Sequence, residues 1–258
     1  MKKLFACFLM AFASHAFAAP DCSAFVPGGQ FPTLTNPRMA PKTRMLCYSD
    51  FAVLHSGITH GPLWFAEHLT RDHLEAAKDM TRTNRFFEDD RLPDGEGATL
   101  ADYRRSGFDR GHMSPAGNRW NPQAMAESFS LANIVPQNHE NNERLWAHIE
   151  TAVRRLATKY GEAWVVTGPL FTGAQLPTIG ESRVLVPTQI YKVVYVPSQE
   201  LAFAIVADNT SGERYDVRSV RALEQQSGIS FPGIPASVAD DTKVSFNGRA
   251  FAVRKWGW

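Results

Sequence analysis

The stretch Asp109-Arg110-Gly111-His112 places an imidazole, a fixed positive charge and a glycine within four consecutive residues. These residue types suit attack on a phosphodiester, because a histidine can activate water and a guanidinium can meet the phosphate. The glycine permits a backbone bend that would present both groups. Four residues are weak support for a catalytic site by themselves, so the interpretation depends on the surrounding chain.

Downstream of this stretch, the sequence predicts a helix at 141–160. Apolar residues recur there with the spacing of one helix face; they are Leu145, Ile149, Val153, Leu156 and Tyr160. Asn142 lies in line with this face, and Glu150 and Arg154 lie to one side of it. The helix is therefore expected to present an amide, a carboxylate and a guanidinium at the edge of a cleft.

Strands and helices around this region do not alternate regularly. The pattern predicts strands at 63–70, 108–113, 129–135, 163–167, 189–196 and 201–207, and a further helix at 216–227. Asn121 and Pro122 indicate a helix start, as N-cap and first helical residue. The charged segment 71–97 is predicted to be irregular. We expect an α+β fold, with a central, mainly antiparallel sheet flanked by helices.

The helix side chains suit a hard cation such as Mg²⁺, which takes oxygen ligands and keeps several waters. Asn142 could be a direct ligand, and Glu150 could hold a coordinated water. Simpler interpretations remain open. Asn142 could cap the helix, and Glu150 could pair with Arg154 as an i,i+4 surface ion pair. His112 could be a core histidine.

The N-terminal residues predict export. Lys2 and Lys3 precede an apolar run at 4–12 that is too short to span a bilayer, and Ala16-Phe17-Ala18 fits a signal-peptidase site. We expect a signal peptide at 1–18, a periplasmic or secreted mature protein, and no membrane segment after cleavage.

Removal of that segment would leave two cysteines, Cys22 and Cys47, an even pair in an oxidising compartment. A disulfide between them would tether an N-terminal arm at 19–46 that is rich in proline and glycine. Closing such a loop stabilises a fold by about 3 kcal/mol in the chain-entropy model. The remaining residues, 47–258, are long enough for one domain with a substantial core.

Charge is nearly balanced over the chain, with 27 Lys and Arg against 26 Asp and Glu. Without Lys2 and Lys3 the count is 25 against 26, a net charge of −1. A protein that coats nucleic acid usually has a basic surplus. Any contact with nucleic acid must therefore come from a local arginine cluster, which favours an enzyme that releases its polymer.

The run from Asp109 to Arg154 resembles the sugar-nonspecific DNA/RNA endonuclease family, the endonuclease G-like group of ββα-metal nucleases. Matching segments, besides 109–116, are 123–129 and 131–137, followed by Asn142, Trp146, Glu150 and Arg154. Segments 62–70, 165–169 and 186–188 are similar in the same way, so the resemblance covers roughly 45–235. It implies a ββα-metal finger at the active site and a nuclease domain at 47–258.

The resemblance also implies the roles of individual residues. His112 would be the general base, which takes a proton from the attacking water. Asn142 would hold one Mg²⁺ ion, with Mn²⁺ as a substitute, and Glu150 would orient water around it. The arginines that contact the phosphate would be Arg85, Arg110 and Arg154. The supporting residues would be Asn133, Asp109 and, for backbone shape, Gly111.

The sequence departs from the family pattern just before the metal-binding asparagine. Glu140 and Asn141 stand where many members have Asp-Leu. The metal ligand could therefore be Asn141, although the spacing to Trp146 and Glu150 favours Asn142. Outside the resemblance, Trp256 and Trp258 are expected to close the core rather than to stack on bases.

These observations predict an exported, Mg²⁺-dependent endonuclease with DNA and RNA as substrates, weak sequence preference and 5′-phosphate products. Family members are often homodimers, but no exposed apolar stripe predicts one here. Two alternatives remain: a metal-dependent phosphodiesterase acting on a small or lipid substrate, and a non-catalytic nucleic-acid-binding protein. The second would need arginines but not the combination of His112 with Asn142.

Overall fold

The computed structural model describes residues 21–240 and the backbone of two short strands at 245–246 and 249–250. The expected signal peptide at 1–18 and the C-terminal Trp256 and Trp258 lie outside the described residues. Within the described part, no helix combines the length and the apolar character needed to cross a membrane.

A seven-stranded sheet forms the centre of the fold. Its strands, in chain order, are β2 (Thr43–Cys47), β3 (Ala52–Ser56), β4 (Gly61–Thr70), β7 (Glu162–Leu170), β10 (Gln189–Val196), β11 (Leu201–Asp208) and β12 (Tyr215–Arg218). Their spatial order is β12-β11-β10-β7-β4-β3-β2, and every neighbouring pair is antiparallel. The predicted α+β class with a mainly antiparallel sheet is confirmed.

Smaller elements surround the sheet. The short strands, paired in twos, are β1 (Thr33–Leu34) with β13 (Ile229–Ser230), β5 (Asp109–His112) with β6 (Ile134–Gln137), β8 (Thr178–Ile179) with β9 (Val184–Leu185), and β14 (Ser245–Phe246) with β15 (Arg249–Ala250). The α-helices are α1 (Arg71–Ala77), α2 (Leu100–Tyr103), α3 (Pro122–Glu127), α4 (Ala147–Tyr160), α5 (Val220–Ser227) and α6 (Ala236–Ala239).

The two faces of the sheet pack against different layers, because successive side chains of a strand point to opposite faces. Phe65 and Val165 lie on the face covered by α4, and they pack with Ile149 and Val153 of that helix. The opposite face packs against α5 and the N-terminal arm. The front face, covered by α4, is the one that carries the residues predicted for the site.

The N-terminal arm is fastened to the back of the sheet. Cys22 and Cys47 form the predicted disulfide, with Cα atoms 5.7 Å apart. Cys22 is buried in the rear core together with Val26. The arm therefore contributes apolar side chains to the core as well as a covalent link.

Several predicted element boundaries are wrong. The strand expected at 129–135 is instead β6 at Ile134–Gln137, preceded by a 3-10 turn, and Pro136 lies inside it because β6 pairs only with β5. The helix expected at 216–227 begins at Val220, since the preceding residues form the edge strand β12. The segment expected to be irregular at 71–97 begins with α1.

The predicted helix start at Asn121-Pro122 is confirmed, and Asn121 Oδ1 accepts a hydrogen bond from the backbone N–H of Ala124 at 2.8 Å. The long helix predicted at 141–160 is present, but its first part, Asn141–Trp146, is a π-helix that continues into α4. Such π segments are frequent at functional sites. This one carries the asparagine for which metal binding is predicted.

Candidate active site

The site forms where the β5–β6 hairpin lies beside the π-helix that leads into α4. Gly111 pairs with Val135 and His112 pairs with Ile134 across the hairpin. The strand that carries His112 is therefore fixed in register with its partner, and the helix follows that partner along the chain. This arrangement is the ββα finger that the sequence predicts.

Gly111 contributes space rather than a bend. Its backbone is not among the positive-φ glycines of the described residues. A Cβ at this position would lie 2.1 Å from the side-chain oxygen of Gln137, closer than atoms can approach. Gln137 in turn donates from Nε2 to Asn141 Oδ1 at 2.7 Å. The glycine thus lets a glutamine reach under the hairpin and fasten the start of the π-helix, and the expected backbone bend is wrong.

His112 lies in an aromatic enclosure. Its side chain is buried between Phe86 and Phe129, with ring centroids 5.4 Å and 5.0 Å away. Burial, together with the positive charge of Arg82, lowers the pKa of His112 to about 3. The imidazole is therefore neutral near pH 7, and its Nε2 has no hydrogen-bond partner among the described residues. A neutral imidazole with an unpartnered nitrogen can accept a proton.

Two arginines lie over the aromatic rings that enclose His112. The guanidinium carbon of Arg110 lies 4.5 Å from the centroid of Phe86, and that of Arg82 lies 5.2 Å from the centroid of Phe129. Arg85 is exposed on the same segment as Arg82. The arginine whose charge acts on His112 is Arg82, so the structure brings Arg82 to the site, and the role expected of Arg85 stays a prediction.

Sequence reasoning missed Arg82. The two arginines lie three positions apart in a charged segment without a repeating pattern, and nothing in the sequence distinguishes the one that faces the histidine. The distinction comes from the folded path of the segment, which sets Phe86 edge-to-face against Phe129 and directs Arg82 toward the Phe129 ring.

The two adjacent asparagines have different surroundings. Both ends of the Asn141 amide are bonded within the fold, since Oδ1 accepts from Gln137 and Nδ2 donates to the backbone oxygen of Asp208 at 2.9 Å. Asn142 is partly exposed, and its Nδ2 donates to Asp109 Oδ2 at 2.9 Å. Its amide oxygen therefore faces away from Asp109. Of the two residues, Asn142 is the one that can offer an oxygen to a ligand.

Asp109, His139 and Glu143 converge beside Asn142, with one potential ligand atom from each lying within 4.8 Å of the others. His139 Nδ1 lies 3.0 Å from Asp109 Oδ2, and its Nε2 lies 3.4 Å from Glu143 Oε2. The hydrogen bond and the charge of Asp109 raise the pKa of His139. The carboxylates of Asp109 and Glu143 thus face His139, while the amide oxygen of Asn142 points away from Asp109 and is a donor of the kind that a hard divalent cation takes.

Asn133 is buried behind the hairpin and holds the chain that follows His112. Its Oδ1 accepts from the backbone N–H of Ser114 at 2.9 Å. Its Nδ2 donates to the backbone oxygens of Ser114 and Ser128 at 3.2 Å and 2.9 Å. All of these bonds are to backbone atoms, so Asn133 fixes the path of the loop rather than reaching the cleft.

Glu150 and Arg154 lie one turn apart on α4. Burial raises the pKa of Glu150 to about 7, while the positive charges of Lys192 and Arg154 oppose this rise. Arg154 donates to Asn118 Oδ1 at 3.1 Å and to Thr151 Oγ1 at 2.8 Å. These partners, and not a surface ion pair with Glu150, determine the orientation of the arginine.

The hairpin with its buried histidine, packed beside a helix that presents an amide oxygen, defines the class of ββα-metal folds. The model of the DNA/RNA non-specific endonuclease family matches residues 32–235. The chain therefore belongs to the DNA/RNA non-specific endonuclease family, which is metal-dependent. The resemblance inferred from the sequence is confirmed.

Individual relatives agree with this assignment. The chain is 35% identical to the mitochondrial nuclease EXOG of Danio rerio over 204 residues, which cover 71% of this chain and 59% of the relative. It is 38% identical to human mitochondrial endonuclease G over 200 residues, covering 70% and 67%. It therefore spans less than two thirds of the EXOG relative. A crystal structure of the EndoG/EndoGI complex, described as showing the mechanism of EndoG inhibition, matches with a TM-score of 0.71 and 26% identity, covering 77% of this chain and 91% of the matched chain.

The predicted cellular compartment is wrong, as the relatives show. A third relative, the mitochondrial nuclease of Saccharomyces cerevisiae, is 37% identical over 208 residues, which cover 70% of this chain and 63% of the relative. Like this nuclease, EXOG and endonuclease G are mitochondrial, which overturns the expectation of a periplasmic or secreted protein. The expectation rested on a short basic and apolar segment at 1–18. Targeting segments are addresses read by receptors, and so coarse a composition does not specify which receptor reads them.

Proposed function

We propose that this chain is a divalent-cation-dependent endonuclease that hydrolyses phosphodiester bonds in DNA and RNA with weak sequence preference. The observation that carries the proposal is the neutral imidazole of His112, whose Nε2 has no partner among the described residues and which lies between two arginine-covered rings. A base that accepts a proton beside fixed positive charge is what hydrolysis of a phosphodiester requires. A protein that only binds nucleic acid would have no use for the buried histidine.

In this proposal, His112 takes a proton from a water molecule while the oxygen of that water attacks phosphorus. The bond between phosphorus and the 3′ oxygen breaks, which leaves a 5′-phosphate and a 3′-hydroxyl. The lowered pKa keeps the imidazole unprotonated over the whole neutral range, which is the form that accepts a proton. The rings of Phe86 and Phe129 limit access of bulk water to this histidine.

The arginines bind and neutralise the phosphate. Arg82 and Arg110 approach from the hairpin side, and Arg154 approaches from α4. Guanidinium groups suit this role because their planar array of donors matches phosphate oxygens and their charge is permanent. We assign to Arg82 the contact that the family resemblance had suggested for Arg85, because Arg82 is the arginine that acts on His112.

Asn142 would hold the cation through its amide oxygen, and Asp109 fixes the direction of that oxygen. A divalent cation bound there would stabilise negative charge on the phosphate and on the departing oxygen. Glu150 would hold and orient water around the same position. We propose Mg²⁺ as the cation and Mn²⁺ as a substitute, because the donors are oxygen atoms with room for water.

The test uses the purified full chain with plasmid DNA and with RNA, in Mg²⁺ or in EDTA. We expect degradation of both polymers in Mg²⁺, none in EDTA, 5′-phosphate termini, and near-complete loss of activity in His112→Ala. His68→Ala is the matched control, because His68 bonds Glu162 and stacks on Trp164 without contacting the site.

Two results would contradict the proposal. Intact polymers together with turnover of a small phosphodiester would favour a phosphodiesterase for small or lipid substrates. Tight binding of nucleic acid without cleavage would favour a binding protein. A homodimer remains a prediction from the family resemblance, and sedimentation of the purified chain tests it.

A further inference from the structure

The chain that follows His112 passes directly against the guanidinium of Arg154. A Cβ at Gly117 would lie 3.5 Å from Arg154 Nη1, an ordinary van der Waals distance, so the guanidinium lies beside this turn of the chain. The next residue, Asn118, accepts a hydrogen bond from Nη1 at 3.1 Å, and Thr151 Oγ1 accepts one from Nη2 at 2.8 Å. Each terminal nitrogen of Arg154 thus has a partner that fixes the plane of the guanidinium.

Asn118 is itself anchored from the other end of its amide. Its Nδ2 donates to Glu67 Oε1 at 2.9 Å, and both residues are almost fully buried. An asparagine amide has an acceptor and a donor on one rigid plane, so it can face a guanidinium and a carboxylate at once. An aspartate would place a second negative charge against Glu67. An amide side chain is therefore better suited to position 118 than a carboxylate.

The anchor continues into the core as a set of buried ionic groups. Arg119 bonds the second oxygen of Glu67, and its Nη1 donates to Asp50 Oδ2 at 2.7 Å. Trp120 Nε1 donates to the remaining oxygen of Asp50 at 3.0 Å. Buried ion pairs often stabilise a fold no better than apolar groups of equal volume, because of the cost of desolvation. Stability alone is thus a weak reason for this cluster.

We propose that Asn118 and Thr151 are positioning residues that hold Arg154 in the orientation needed to meet the scissile phosphate, with the buried cluster of Glu67, Arg119 and Asp50 as their rigid support. The inference rests on the proposed nuclease function and adds the support of one of its arginines. Because a single loop leads from His112 to Asn118, the base and this arginine are fixed relative to each other.

Double-mutant cycles test the proposal. Thr151→Val and Asn118→Ala are each made in the wild-type chain and in an Arg154→Ala background, and kcat and KM are measured on a defined DNA substrate. We expect each change to lower kcat/KM about tenfold in the wild-type chain, since small errors of position are costly. Each should change it less than twofold when Arg154 is absent. Thr158→Val, the same substitution on the same helix, is the matched control and should have no effect.

Equal losses with and without Arg154 would overturn the proposal, as would unchanged activity in both variants. If Asn118→Ala does not fold, Thr151→Val decides alone, because valine keeps the shape of threonine. Nitrogen NMR of the Arg154 guanidinium gives a readout independent of turnover. Separate Nη signals in the wild type that merge in the variants support the positioning role. An inactive wild type with separate signals would contradict only the nuclease function.

Discussion

The side chains of Asn142 and Asp109 are joined by a hydrogen bond of 2.9 Å from Asn142 Nδ2 to Asp109 Oδ2. The bond crosses from the π-helix to the first residue of β5, so it ties the helix to the hairpin. It also selects which end of the asparagine amide is available to a ligand. An asparagine held in this way keeps its oxygen in one direction, whereas a free one would rotate.

Asp109→Ala should therefore weaken cation binding without removing the ligand itself. Loss of such a supporting hydrogen bond typically reduces metal affinity by about 10- to 100-fold. We expect the Mg²⁺ concentration for half-maximal activity to rise by a factor in this range, while activity at saturating Mg²⁺ recovers substantially. Asp94→Ala, at an exposed loop position, is the control. An unchanged Mg²⁺ requirement in Asp109→Ala would contradict the assigned role.

Alanine substitutions of the two neighbouring asparagines should separate activity from stability. Asn142→Ala should abolish most Mg²⁺-dependent activity and leave the free energy of unfolding within about 0.5 kcal/mol of the wild type. Asn141→Ala should lower that free energy by about 1–3 kcal/mol, because it leaves buried partners unbonded. Urea unfolding and DNA cleavage, measured on the same preparations, check both. The reverse pattern would make Asn141 the ligand.

The central motif could be predicted from the sequence because it is local. His112 lies in a strand of the hairpin, and α-helical periodicity places Glu150 relative to Arg154. Asn142 lies in the π-helix before them, where that periodicity does not hold. The choice of Asn142 over Asn141 followed from spacing, and the structure supplies a physical reason in the bonded amide of Asn141.

What could not be predicted depends on contacts between distant segments. The choice between Arg82 and Arg85 depends on the edge-to-face contact of Phe86 with Phe129, which the order of residues does not reveal. Gln137 is four residues from Asn141, but its approach to Gly111 requires the paired hairpin. Likewise, one partner of Arg154, Asn118, comes from a distant loop, and its partner on the same helix is Thr151 rather than Glu150.

Arg82 and Arg85 should differ sharply when each is changed to alanine. Arg82→Ala should lower kcat/KM on DNA by about 100-fold or more, as expected when one donor to a developing negative charge is lost. Arg85→Ala should stay within a fewfold of the wild type, because Arg82 is the arginine that lies over Phe129 and acts on His112. Steady-state cleavage assays of both variants at saturating Mg²⁺ check this. A large loss in Arg85→Ala alone would restore the original assignment.

The substitution Gly111→Ala should destabilise the fold strongly, although it adds only one methyl group. The added methyl would occupy the space of the Gln137 side chain, which must then move and release Asn141. We expect a loss of about 1–3 kcal/mol in the free energy of unfolding, as is usual for overpacking, and a higher Mg²⁺ requirement because the start of the π-helix shifts. Gly173→Ala, where a Cβ meets nothing within 4 Å but φ is +109°, is a control for backbone strain without collision. Equal effects at the two positions would refute the packing argument.

Finally, burial of His112 should make the fold less stable in acid, and the substitution His112→Gln should remove this part of the acid sensitivity. The pKa of this histidine is near 6.5 in the unfolded chain and about 3 in the folded one. Between these two pH values only the unfolded state binds the proton, so the free energy of unfolding falls as the pH drops below 6.5. From pH 7 to pH 5 the free energy of unfolding should fall by about 1–2 kcal/mol for this reason. His112→Gln, which has no charge to gain, should lose correspondingly less over that interval. Asp89, whose pKa is lowered to about 2, also favours unfolding in acid, but it does so equally in both proteins. Urea midpoints at the two pH values give the comparison, and parallel acid losses in wild type and variant would show that the imidazole is protonated in the folded state.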